Sequence, residues 1–148
     1  MNVFKKVICH DYTVGRAQTQ MVRVKSNGVH MIGLMLIFNV LSACGLYIIY
    51  FLLNNGREDI YYILNELHYW EVAGRVGIIM ILAFIYLLAF AAFGGKQYFL
   101  SVINEFISMD NATQEAVSSS GGRYFYGSLI LFFIVAGVLV YLVKVAGF

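Results

Sequence analysis

Three stretches without a permanent charge constrain this chain more than anything else in it. They are residues 31–53, MIGLMLIFNVLSACGLYIIYFLL; residues 76–95, VGIIMILAFIYLLAFAAFGG; and residues 124–143, YFYGSLILFFIVAGVLVYLV. Each reaches the roughly 20 residues a helix needs to cross about 30 Å of hydrocarbon. A water-soluble core can hide one helix that is apolar all round, but hardly three in 148 residues. The charged fraction of 12% is half of the roughly 25% found in soluble domains. The fold expected is an all-α integral membrane protein with three transmembrane helices and two short interfacial amphipathic helices.

The chain divides accordingly. An N-terminal arm covers 1–30 and the first span 31–53. A loop with an amphipathic helix follows over 54–75, and the second span over 76–95. A second amphipathic helix and a linker fill 96–123, and the third span occupies 124–148. The first span is not a cleavable signal peptide, because about thirty mostly polar residues precede it. Within the arm, TQMVRVK (19–25) alternates apolar and charged residues, a strand signal that equally suits the start of a long first helix. Neither reading makes the arm a folded domain.

Between the spans, EDIYYILNELHYWEV (58–72) places Ile60, Ile63, Leu64 and Leu67 at helical spacing, with acids opposite. KQYFLSVINEFISM (96–109) repeats the pattern with Phe99, Val102, Ile103 and Phe106. Both read as surface helices, although 96–109 equally suits a continuation of the second span. DNATQEAVSSSGG (110–122) reads as a flexible polar linker. With no proline present, glycine pairs at Gly94–Gly95 and Gly121–Gly122 supply the punctuation.

Lysine and arginine set an expected orientation. Lys5, Lys6, Arg16, Arg23 and Lys25 lie in the arm, and Lys96 and Arg123 in the second loop. Only Arg57, Arg75 and Lys144 lie on the other side. The positive-inside rule puts the N-terminus and second loop in the cytoplasm and the C-terminus outside. Lys144 closes the third span, its methylenes along lipid and its ammonium at the headgroups. Trp70 and Tyr124 join it as interfacial anchors. The sequon Asn111-Ala-Thr113 is then cytoplasmic and out of reach of glycosylation.

Few residues suggest chemistry. Cys9 and Cys44 are expected too far apart to pair. Of the three histidines, His10, His30 and His68, His30 lies near the inner face and His68 on the outer side, so one chain cannot bring these two to a common haem iron; a single histidine would need a partner from another subunit. No acid lies within a span, which argues against a proton relay or a charged pore ring. No Ser/His/Asp set, HExxH or phosphate-binding glycine loop occurs. No metal site, catalytic group or cofactor is expected, and no nucleic-acid partner at a net charge of +2. The informative buried polar residue is Asn39, on one helical face with Ser42, Ala43, Leu46 and Tyr50. An amide beside small residues is a helix-packing signature. The pairs Ala73-xxx-Gly77 and Ala91-xxx-Gly95 add small residues at the ends of the second span.

Two local resemblances bear on process. YTVGRAQTQMVRVKSNGVHMIGLMLIF (12–38) resembles the start of conjugative coupling proteins, where a Gly- and Gln-rich basic arm leads into the first span. Here the double glycine is broken and the ATPase domain that defines that family is missing. LVYLVKVAGF (139–148) is similar to the final helix of a small membrane subunit of respiratory complex I, whose acidic second helix and proline-containing loop have no counterpart here. The expected role is a non-enzymatic accessory or assembly subunit of a larger bacterial inner-membrane complex, such as a conjugation or secretion system. Its expected partners are the lipid bilayer and other membrane subunits, or further copies of itself. The alternatives are a membrane anchor in a respiratory complex, holding quinone or haem, and a small self-assembling pore.

Overall fold

The computed structural model of the chain describes residues 1–16, 21–55, 58, 61, 62, 65, 66 and 71–145. Helix accounts for 93% of the structure and no strand occurs among the described residues, so the protein is all-α. Five helices order the chain: α1 (Val3–Arg16), α2 (Met21–Asn55), α3 (Glu71–Phe93), α4 (Lys96–Ile107) and α5 (Asn111–Lys144). Three are long and apolar enough to cross a membrane, over Gly28–Asn55, Val72–Phe93 and Asn111–Lys144.

α2 and α5 are each about 50 Å long at the helical rise of roughly 1.5 Å per residue. A hydrocarbon layer of about 30 Å covers little more than half of that. Their amino-terminal ends therefore project, and on these projections a cap is built. The segment 21–25 is the start of α2 and not a strand. Residues 111–122 form the first three turns of α5, where composition alone suggests a flexible linker. Asp110 starts that helix: in extended conformation, its carboxylate accepts from the Thr113 N–H at 3.2 Å. This satisfies one of the donors that a helix leaves open at its start.

The second span does not run on into 96–109. α3 stops at Phe93, the Gly94 N–H bonds the Phe90 carbonyl at 2.8 Å, and Gly95 stands extended as the cap of α4. A Cβ on Gly94 would overlap the Phe90 carbonyl, so the turn demands glycine there. The chain then reverses into α4, whose Phe99, Val102, Ile103 and Phe106 all turn inward.

α1 lies in the angle between the projecting ends of α2 and α5 and also touches α4. The arm thus carries a helix with a core of its own, which sequence reading did not anticipate. Val7, Ile8, Cys9 and Tyr12 of α1 join the four inward residues of α4, Ile32 and Met35 of α2, and Ala89 of α3. Val7 and Val102 are fully enclosed, and each such side chain is worth about 1.5–3 kcal/mol of burial. Phe4 stacks on Phe93, ring centroids 4.8 Å apart, and Tyr12 meets Phe106 edge-on at 6.3 Å. Lys5 and Glu105 close the rim with a 2.9 Å ion pair. The pair is solvent-accessible and adds little to stability.

α1 reaches α5 because glycine lets it. A Cβ on Gly121 would overlap the Lys6 carbonyl, and one on Gly122 would sit 2.7 Å from Cε1 of His10. Gly121→Ala should therefore lift α1 from its seat, at a cost of about 1–3 kcal/mol for an overpacked contact. Gly127, six residues on, has open space around it, and Gly127→Ala should change stability by no more than about 1 kcal/mol, the helix-propensity difference. Thermal unfolding in detergent, with limited proteolysis of α1, checks both.

Candidate functional site

Three surfaces compete for the role of functional site: the cap, the outer face of α3 and the free face of α2. Within the bilayer α2 is the central helix. It packs against both α3 and α5, which scarcely meet each other. Gly33 receives the Tyr86 ring of α3, whose Cδ2 lies 2.6 Å from where a Cβ would stand. Gly45 admits Val135 of α5 in the same way, and Phe38 stacks on Phe132 with centroids 5.4 Å apart. Such close approach matters in lipid, where burial of apolar surface no longer drives helices together.

The result is an open layer. In the most apolar stretch of each span, 28% is buried for α2, 11% for α5 and only 6% for α3. α3 therefore presents almost its whole circumference outward, including Ile79, Met80, Phe84 and Leu87.

The residues expected to pack helices are distributed over this layer. Ser42 is enclosed, 1% exposed, with its hydroxyl donating to the Phe38 carbonyl at 2.7 Å. Asn39 and Ala43 face outward. Gly77 has no atom within 4 Å of a notional Cβ, and Gly95 belongs to the α3–α4 turn. Of the expected anchors, Lys144 sits exposed in the last turn of α5 and Tyr124 is exposed on the same helix. Trp70 lies outside the described residues, as does most of the expected surface helix over 58–72. Residues 58, 61, 62, 65 and 66 of that stretch are helical. The glycines that do bring helices together, at 33, 45, 121 and 122, were not singled out as packing sites. Gly33 and Gly122 face rings, Gly45 a valine and Gly121 a backbone carbonyl, so no one residue type opposite them marks all four in the sequence.

The cap holds several titratable groups. His30, at the foot of α2, stacks on Tyr86 at 5.5 Å and meets Phe90 at 5.4 Å. His10 meets Tyr126 edge-on at 6.0 Å. Its Nδ1 and Oδ2 of Asp11 are both buried, and neither has a hydrogen-bond partner among the described residues. Asp11 Oδ2 sits beside Gly28 of α2, 3.7 Å from a notional Cβ. Desolvation pushes the Asp11 carboxyl up to about 6. Burial pushes the Cys9 thiol up to about 12, which leaves it protonated and unreactive at neutral pH. At the rim, the hydrogen bond from Lys5 holds Glu105 below its ordinary value.

A groove of about 370 Å³ opens between α1 and the start of α5, lined by His10, Thr13, Asn111, Gln114, Glu115 and Ser118 among others. The Gln114 amide is already engaged, donating to the Met109 carbonyl at 2.9 Å. No group of three or more His, Cys, Asp or Glu side chains suited to a metal ion occurs among the described residues. The Ser128 hydroxyl donates to the Tyr124 carbonyl at 3.0 Å, so like Ser42 it is spent on its own helix. No known family, curated protein or solved structure matches this chain.

The Asp11 carboxyl makes the cap sensitive to pH. Its value is raised on folding, so the folded state holds the proton more tightly than the unfolded one. The stability it contributes is complete below about pH 4 and is lost as pH rises through about 6. Asp11→Asn should remove that dependence and raise stability at pH 7.5. The gain is on the order of 1 kcal/mol once the partial exposure of the group is discounted. Thermal unfolding of both proteins between pH 4 and 8 measures it.

Proposed function

We propose that this chain is a non-enzymatic accessory or assembly subunit of a larger complex in a bacterial inner membrane. Its cap faces the cytoplasm and its C-terminus the opposite side. The observation that carries the reading is the bareness of α3. A helix that is only 6% buried over its most apolar stretch gains little from its own chain. It is an available wall for a transmembrane helix of another subunit. The basic residues at the cap end, among them Lys5, Lys6, Lys96 and Arg123, support the orientation. A conjugation or secretion system is the concrete setting, on the strength of the basic arm that leads into the first span.

The cap suits such a role. It fixes the tilt of α2 against α5 from outside the hydrocarbon, and it offers a partly polar groove at the membrane surface. Both are features of a part that positions other parts.

A photoreactive amino acid at Met80, Phe84 or Leu87 tests the proposal in native membranes. One defined second membrane protein should be captured from these positions. Phe84→Ala combined with Leu87→Ala should lower its co-purification at least several-fold, as expected when anchoring side chains are truncated. Adducts with lipid alone, and a chain that purifies without companions, would overturn the proposal. A visible absorption spectrum of the purified protein separates it from the haem-anchor alternative. A Soret band lost on substitution of His30 would decide for the latter.

A further inference from the structure

We propose that the free face of α2 pairs with the same face of a second copy of this chain, with Asn39 bonded to Asn39 across a two-fold axis. The pairing rests on the three-span membrane fold and not on the accessory role. Asn39 lies near the middle of the Gly28–Asn55 span and its side chain is exposed. Among the described residues it makes no side-chain hydrogen bond. An amide left unsatisfied in hydrocarbon is costly. The contacts of α2 with α3 and α5 use other sides of the helix: Gly33 meets Tyr86, Gly45 meets Val135 and Phe38 meets Phe132. Nearer the cap, Ile32 and Met35 on the stripe of Asn39 are covered by α1, so the face is free from Asn39 onward and the two copies diverge at their caps.

Around Asn39 the exposed residues form a seam. Ala43, Leu46 and Tyr50 follow it, the last two 50% and 66% exposed. The steps of four, three and four residues are those of a heptad, the repeat by which two helices wind around each other. Ala43, one turn from the amide, lets two backbones approach. Leu46 supplies the next packing layer. A single polar asparagine in such a seam fixes register and partner number.

The identity of the occupant follows from the amide and the bilayer. A carboxamide offers two donors and an acceptor oxygen, so an identical amide satisfies it. Copies of one membrane protein share one orientation. A two-fold axis along the membrane normal therefore sets the two seams parallel and in register, with each residue against its own counterpart. Any other partner must bring a polar group to the same depth.

The test uses full-length protein in native membranes, with Cys44→Ser to remove the exposed thiol; Cys9 is buried. Single cysteines at positions 43, 46 and 50 should give disulfide-linked dimers on mild oxidation. Ile48→Cys, on the opposite side of α2 and itself exposed, should not. Asn39→Leu should weaken dimerisation by roughly three- to thirty-fold, and Asn39→Gln should retain most of it. Because Asn39 faces outward, Asn39→Leu should leave the helical content and cap unfolding of the monomer unchanged, which separates lost pairing from lost folding. Equal cross-linking at 46 and 48, capture of a different polypeptide at position 46, or a dimer indifferent to Asn39→Leu would each overturn the proposal. The adducts read from α3 report on the accessory role separately, so either idea can fail alone.

Discussion

The seat of α1 on Gly121 and Gly122 holds the cap together. Without side chains at those positions, α5 lets the Lys6 carbonyl and the His10 ring lie directly on its surface. That seat places Val7, Ile8 and Tyr12 over α4, Ile32 and Met35. α4 can turn its apolar face away from water only because α1 is there to receive it. The angle between the projecting ends of α2 and α5 is set by the helix wedged into it. An isolated helix of 14 residues is marginal in water, so α1 owes its stability to this seat as much as the seat owes its closure to α1.

Two different kinds of cohesion operate in one small chain. In the cap, apolar side chains leave water, and the ordinary hydrophobic effect applies. In the bilayer it does not, and helices adhere through close packing and polar contacts between them. The two tight fits are Gly33 with Tyr86 and Gly45 with Val135. Both involve α2, so α3 and α5 hang on a common axis with little contact between them. This accounts for a layer with open sides and not a closed bundle. It also explains why the exposed surface of the spans carries more of the functional argument than any interior.

Much of this was legible from residue types. The uncharged runs give the three spans, because length and charge are sufficient criteria for crossing hydrocarbon. The inward face of α4 was legible as well: Phe99, Val102, Ile103 and Phe106 recur at helical spacing, and all four are buried. The start of α5 was not. Ser118, Gly121 and Gly122 belong to a stretch whose composition is that of a flexible linker, yet the two glycines are where the Lys6 backbone and the His10 ring lie against α5. Composition cannot distinguish a glycine kept for freedom from one kept for proximity. The Asp110 cap is the local sign that a helix begins there. The role of α1 was hidden for a related reason, since its apolar face is matched only by residues far along the chain. For Asn39, sequence supplied the residue but not the side of α2 on which it stands.

The separation in sequence between α1 and its seat orders events during synthesis. Lys5 pairs with Glu105, and the glycines that receive α1 come later still. α1 is thus made well before the helix that seats it. Until the third span has threaded into the membrane, Val7, Ile8 and Tyr12 have no permanent cover. In that interval α1 is an unseated amphipathic segment, for which a nearby bilayer surface is a natural resting place. Closure of the cap then waits on the start of the third span.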